Sequence, residues 1–190
     1  MTEKLTDINR SLIEACKKGD SLAQYTIYSQ YSKAMYNLAF RMMNNREDAE
    51  DILQEAFTDA FRKLGSYRFE STFGAWIKTI IINKCINQLK KRKAEFVFDE
   101  IPDKETYDIE KDDEPYQKDI QKVFKAIEYL PDGYRLVFTL YLLEGYDHSE
   151  ISGILDISES TSKTQYHRAK RKLIQLLEKE ELTWTNLKGL

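Results

Sequence analysis

The segment KTQYHRAKRKLIQLL, residues 163–177, sets Lys163, Arg168, Lys170, Arg171 and Lys172 into its first ten positions with no acid among them. Cations at that density neutralise phosphates, and an Arg or Lys held at a base edge reads guanine. On a helical wheel Ser162, Tyr166, Ala169, Leu173 and Leu176 fall on one side. Ser160, Thr164, His167, Arg168 and Arg171 fall on the opposite side, with Lys163 beside them. A helix held by its apolar side can present such a polar face to a DNA major groove. The plainer reading is a basic helix end that complements the helix dipole and stays solvated. The residues ahead of it favour DNA. Asp147 and Glu150 in DHSE predict a capping box opening a short helix, with Ile151, Ile154 and Leu155 turned inward. DIS predicts a turn, and Ser158 predicts the N-cap of the last helix with Thr161 at its third position. That order is a helix-turn-helix.

A second set lies nearer the N-terminus, on a helix predicted over 72–93. Trp76, Thr79, Asn83, Asn87 and Lys90 fall on one arc, opposite Ile77, Ile81, Cys85 and Leu89, with Lys84 and Lys91 flanking them. Aromatic, amide and cation together suit unstacked bases: rings stack, Asn reads edges and Lys follows phosphate. The loop YRFESTF adds Tyr67, Arg68 and Phe69, which could close over a flipped base; Phe69, Phe73 and Trp76 could equally be core. A third set is acidic. Asp48, Asp51, Glu55 and Asp59 form a stripe with Gln54 beside it and Phe61 nearby. Acids repel DNA, so this face either stays solvated or docks on a protein partner with basic side chains.

Other chemistries find little support. None of the seven glycines builds a phosphate-cradling loop, there is no nucleophile motif, and His148 and His167 both sit in the helix-turn-helix without ligand spacing. No catalytic residue, metal, cofactor or small-molecule substrate is expected. Cys16 and Cys85 stand far apart in helix-like settings, which predicts reduced, buried thiols.

The elements that must position these residues are helices throughout. Residues 8–64 show apolar recurrence at three and four, broken by a turn at Gly19-Asp20, and Asn45 precedes the stripe Ala49, Ile52, Leu53, Ala56, Phe57, Ala60 and Leu64. The Ile-rich centre of STFGAWIKTIIINKCINQLKKRK could be a strand, but its four-residue repeat predicts a helix. From Lys118 onward helical patterns return, with Pro131 opening one helix and two shorter helices after it. The charge divides with them: net +5 over 1–93, −8 over 94–117 and zero over 118–190, within a total of −3. The fold class is therefore all-α, two small helical domains, 1–93 and 118–190, joined by an acidic flexible linker, 94–117. No run approaches a membrane span, and MTEKLTDINRSL lacks the apolar core of a signal peptide, so a cytoplasmic protein is expected.

The chain resembles the extracytoplasmic-function (ECF) class of bacterial RNA polymerase sigma factors. NREDAEDILQEAFTDAFRKL is similar to the family's segment that binds the clamp helices of the polymerase β′ subunit. STFGAWIKTIIINKCINQLKKRK is similar to the helix that recognises and opens the −10 element, and LPDGYRLVFTLYLLEGYDHSEISGILDISESTSKTQYHRAKRKLIQLL to the domain that reads the −35 element. The resemblance implies polymerase docking through Asp51, Gln54 and Glu55, and the acidic stripe adds Asp48 to that surface. It implies a −10 contact from Asn83, to which the wheel and the loop add Arg68, Phe69, Trp76, Thr79, Asn87, Lys90 and Lys91, and −35 contacts from Lys163, Thr164, His167 and Arg168, to which the wheel adds Ser160 and Arg171. Implied partners are core RNA polymerase, through its β′ clamp helices and β flap, promoter DNA and an anti-sigma factor, and the linker would thread the polymerase channels. Two positions depart from the family pattern: Asp156 replaces the Gly of its turn, and Ser162 stands where an apolar residue usually anchors the last helix. A conventional helix-turn-helix repressor would instead form homodimers on palindromic duplex and ignore polymerase.

Overall fold

The computed structural model describes residues 9–95 and 115–187, and every long element among them is helical. They form two compact units. Most of the acidic segment 94–117 lies outside the described residues; helix extends into its two ends, to Glu95 and from Pro115.

The first unit comprises α1 (Arg10–Lys17), α2 (Ser21–Met43), α3 (Arg46–Lys63), a 3-10 turn (Leu64–Ser66) and α4 (Phe73–Glu95). Its joints are set by local chemistry. Gly19 adopts φ +86°, and the Asp20 carboxylate then accepts from the Leu22 and Ala23 amides at 2.9 and 3.1 Å, starting α2. Asn44 ends α2 in the left-handed region, and Asn45 caps α3 by accepting from the Asp48 amide at 3.0 Å. Ala49, Ile52, Leu53, Ala56, Phe57, Ala60 and Leu64 are buried as one stripe, and so are Ile77, Ile81, Cys85 and Leu89 of α4, which packs with α2 against α3. Helical periodicity thus outweighs the β-branched content of α4. Each Ile or Leu fully buried there stabilises the unit by roughly 1.5–3 kcal/mol.

The second unit comprises α5 (Pro115–Glu128), α6 (Asp132–Phe138), which runs on into a π-helical segment (Thr139–Leu143), α7 (His148–Leu155) and α8 (Glu159–Leu187). Pro131 sits at the N-cap of α6, where its missing N–H costs nothing. The Glu144 amide donates to the Thr139 carbonyl at 3.0 Å, closing the widened turn. Ala126, Ile127, Leu130, Phe138, Ala169 and Leu173 form the core, with Tyr166 and Leu176 packed on it. Buried Arg135 donates to the Leu130 carbonyl at 2.8 Å and pairs with Asp132, tying the α5–α6 corner. The last helix, expected to be short, has 29 residues. Among the described residues no helix is long and apolar enough to cross a membrane.

Candidate nucleic-acid interface

The helix-turn-helix is built from its caps. Asp147 accepts from the Glu150 amide at 2.7 Å while Glu150 accepts from the Asp147 amide at 2.8 Å, the reciprocal pair of a capping box. Ile151 is fully buried, and Ile154 and Leu155 are half-buried beneath the turn. α7 then ends at Asp156, whose φ of 58° and ψ of 49° place it in the left-handed region, and its amide donates to the Ser152 carbonyl. Ser158 Oγ accepts from the Thr161 amide at 3.0 Å and starts α8.

With that entry fixed, the two sides of α8 separate. Ser162 and Ala169 are fully buried and Leu173 nearly so, while Ser160, Lys163, Thr164, His167, Arg168 and Arg171 are all exposed. Lys163 pairs with Glu159 at 2.6 Å on the same helix, an exposed pair worth little and readily given up to a phosphate. Ser160 Oγ is 3.0 Å from Ser158 Oγ. Sequence reasoning missed His148. Its ring stacks on Tyr141 at 4.4 Å and 14°, and its Nδ1 lies 2.9 Å from the hydroxyl of Ser162. The available signal was Ser162 itself, a hydroxyl on the apolar side of the wheel.

In the first unit α4 carries the second face. Thr79, Asn83, Asn87, Lys90 and Lys91 are exposed along one side, although the Thr79 hydroxyl donates back to the Ala75 carbonyl at 3.1 Å. Trp76 is half-buried, 5.1 Å from the Tyr67 ring and 5.7 Å from Phe73, which is wholly core. Tyr67 does not close over a base: it is buried, and its hydroxyl donates to the Ser71 carbonyl at 2.6 Å. Arg68 is exposed. Phe69 is half-buried with φ 58°, a strained conformation for so bulky a residue. Its ring is covered by cations, the Arg10 guanidinium at 4.6 Å and the Lys17 ammonium at 4.5 Å. Lys17 also donates to the Tyr67 carbonyl at 3.1 Å, so α1 holds the loop ahead of α4. No local pattern announces α1's part, because Lys17 and Tyr67 are 50 residues apart.

The acidic stripe is only partly available. Asp48 pairs with Arg92, while Glu55 and Asp59 both pair with Lys84 at 2.9 Å. Asp51 and Gln54 point outward, and a shallow cleft between α3 and α4 is lined by Asp51, Glu55, Lys84, Asn87 and Lys91. The acids therefore meet a third fate besides solvation or a partner: they cross-link α3 to α4. The hydrogen bond from Lys84, helped by the charges of Lys84, Lys63 and Arg62, outweighs desolvation and holds the Asp59 carboxyl below its usual pKa. Burial alone would lower Lys84, but the bonds to Asp59 and Glu55 outweigh it and raise the ammonium above its usual value. Lys84 is thus drawn from the nucleic-acid face into the helix seam.

Both cysteines are buried thiols, and desolvation pushes Cys85 up to about 12 and Cys16 upward as well. Among the described residues no cluster of three potential metal ligands occurs.

The family models Sigma-70 region 2 and Sigma-70 region 4 match residues 27–95 and 120–173. The chain is 30% identical over 181 residues to the ECF RNA polymerase sigma-E factor of Haemophilus influenzae, covering 90% of this chain and 94% of that one. It is 29% identical over 180 residues to the ECF RNA polymerase sigma factor SigW of Bacillus subtilis, covering 85% and 92%. Two solved structures share the fold. One is CnrH in complex with the cytosolic domain of CnrY (TM-score 0.54, 21% identity, covering 90% of this chain and 97% of that one). The other is the sigma factor RpoE in complex with the anti-sigma factor NepR from Bartonella quintana (TM-score 0.54, 23% identity, covering 81% and 96%).

Proposed function

This chain belongs to the ECF RNA polymerase sigma factors, regulators that direct the polymerase to promoters rather than catalysts, and on that premise we propose how its residues divide the work. Residues 118–190 read the −35 element as duplex. Ser160, Lys163, Thr164 and His167 meet base edges in the major groove, while Arg168 and Arg171 hold phosphates or guanine. The observation that carries this reading is the segregation of α8, with six exposed polar residues on one side and Ser162, Ala169 and Leu173 buried on the other.

Residues 1–93 engage the −10 element once it is melted. Asn83 and Asn87 read exposed edges, Lys90 and Lys91 follow the backbone, and Trp76 offers a partly open ring beside Thr79. Arg68 and Phe69 lie at the loop end of that path, Phe69 braced by α1. Core polymerase docks on α3 through Asp51, Gln54 and the outer edge of Glu55, with Asp48 spoken for by Arg92. The segment 94–117, at net −8, threads the polymerase channels that otherwise hold nucleic acid. The chain works in the cytoplasm, and an anti-sigma factor covers its docking faces when it is idle.

Permanganate footprinting of the melted −10 bubble, together with nuclease footprinting of the −35 duplex, on a holoenzyme–promoter complex tests the division. Substituting Asn83 and Asn87 by Ala should abolish the −10 bubble yet leave −35 protection, and substituting Arg168 and Arg171 should do the reverse. Loss of both signals in either variant would overturn the assignment.

A further inference from the structure

We propose that His148 is a positioning residue for the DNA-reading helix: its hydrogen bond to Ser162 sets the rotation of α8 and thereby the discrimination of −35 sequences. This rests on the −35 reading of α8 given above.

Ser162 lies in the first turn of α8 and is fully buried. A buried hydroxyl is costly without a partner. His148 Nδ1, 2.9 Å away, supplies one from α7. The imidazole is in turn held in orientation. Tyr141 stacks on it at 4.4 Å, the Tyr166 ring meets it edge-on at 5.8 Å, and Tyr141 and Tyr166 are 4.6 Å apart. Tyr141 comes from the π-helical segment Thr139–Leu143 and Tyr166 from α8 itself. The hydrogen bond joins α7 to α8, and the three rings tie the π-helical segment to both.

The placement explains why this contact bears on reading DNA. Ser160, Lys163 and Thr164 stand within two residues of Ser162, on the opposite face of the same turn. A rotation of the turn about Ser162 moves all three across the groove together, and a hydrogen bond fixes rotation where an apolar contact would only fix proximity. Anchoring of α8 does not depend on it, because Ala169 and Leu173 remain buried further along. Loss of the bond should leave α8 docked but rotationally loose, so sequence discrimination falls while phosphate-driven binding persists.

The test uses holoenzyme assembled from core polymerase and the full chain, on two promoter fragments with the same −10 element and either a matched or a scrambled −35 element. Variants are Ser162→Ala, His148→Ala, the double substitution, and His148→Asn, whose amide nitrogen sits near the place of Nδ1. We expect each Ala variant to cut the matched-to-scrambled affinity ratio by roughly three- to tenfold. The double variant should be no worse than either single one, and His148→Asn should recover most of the ratio, with binding to the scrambled fragment unchanged. Single variants that keep the full ratio, or effects that multiply in the double, or a His148→Asn chain as impaired as His148→Ala, would overturn the proposal. If Ser162→Ala does not fold, the comparison of His148→Asn with His148→Ala decides alone. A wild-type holoenzyme blind to the −35 element would instead overturn the reading of α8 beneath it.

Discussion

Lys84 of α4 donates to Glu55 of α3 at 2.9 Å, across a gap of 29 residues in the chain. The same ammonium reaches Asp59 at 2.9 Å, and Arg92 pairs with Asp48 further along the seam. A stripe of acids and a stripe of bases that read as surfaces for two different partners thus neutralise each other inside one unit. What α3 still offers a basic partner is Asp51, Gln54 and the exposed flank of Glu55.

Acid should loosen this seam. Asp59 titrates below its usual value of 3.8, so its contribution is complete above that value and is lost as pH falls through the lower, folded one. Lys84 is shifted upward, so its contribution is complete below 10.5 and is lost as pH climbs through the higher, folded value. Denaturant melts of the full chain in a Trp184→Phe background, followed by Trp76 fluorescence, should show stability falling as pH drops below 4. Lys84→Met should flatten that limb, and an unchanged limb would remove Lys84 as its cause.

The thiols provide an alkaline counterpart. Because burial lifts Cys85 from 9.0 to about 12, the unfolded chain ionises first and stability declines as pH rises between those values. Native protein at pH 8 should therefore react with a thiol reagent only at its opening rate, at both Cys85 and Cys16. Fast, stoichiometric labelling of the folded chain would contradict that burial.

Asp156 supplies a backbone prediction. A non-glycine residue in the left-handed region carries a penalty of about 1 kcal/mol, which glycine escapes. Asp156→Gly should raise the melting temperature of the second unit by a few degrees, whereas Asp156→Val should lower it by more. Calorimetry of the three chains settles the order.

How much was legible in the sequence follows from how local each interaction is. Asn45, the Asp147–Glu150 box and Ser158 act within three residues, and their bonds form as expected. The four-residue repeat Ile77, Ile81, Cys85, Leu89 is likewise a property of one helix, and it is buried throughout. The pairing of Asp48 with Arg92 spans 44 residues, and the grip of Lys17 on the Tyr67 carbonyl spans 50. A helical wheel gives directions but no neighbours, so charges that meet across α3 and α4 looked like separate surfaces, and Tyr67 looked available when it is core. The π-helical turn at Thr139–Leu143, which carries the Tyr141 ring stacked on His148, was equally hidden, since no sequence period marks it.

Arg171 should act through phosphate more than through bases. Arg171→Ala is expected to weaken promoter binding about equally for all −35 sequences and to reduce the salt slope of log K by about 1. Titrations at four salt concentrations on matched and scrambled fragments measure both quantities. A loss confined to the matched fragment would move Arg171 to base reading.

On the reading proposed above, this chain directs RNA polymerase through two DNA-reading units. Purified chain mixed with core polymerase and a library of promoter fragments, followed by sequencing of transcript 5′ ends, tests it most directly. A stable complex is expected, with new start sites that share two sequence elements, one near −35 and one near −10. No complex and no new starts, or chain bound as a homodimer to palindromic duplex without polymerase, would contradict it.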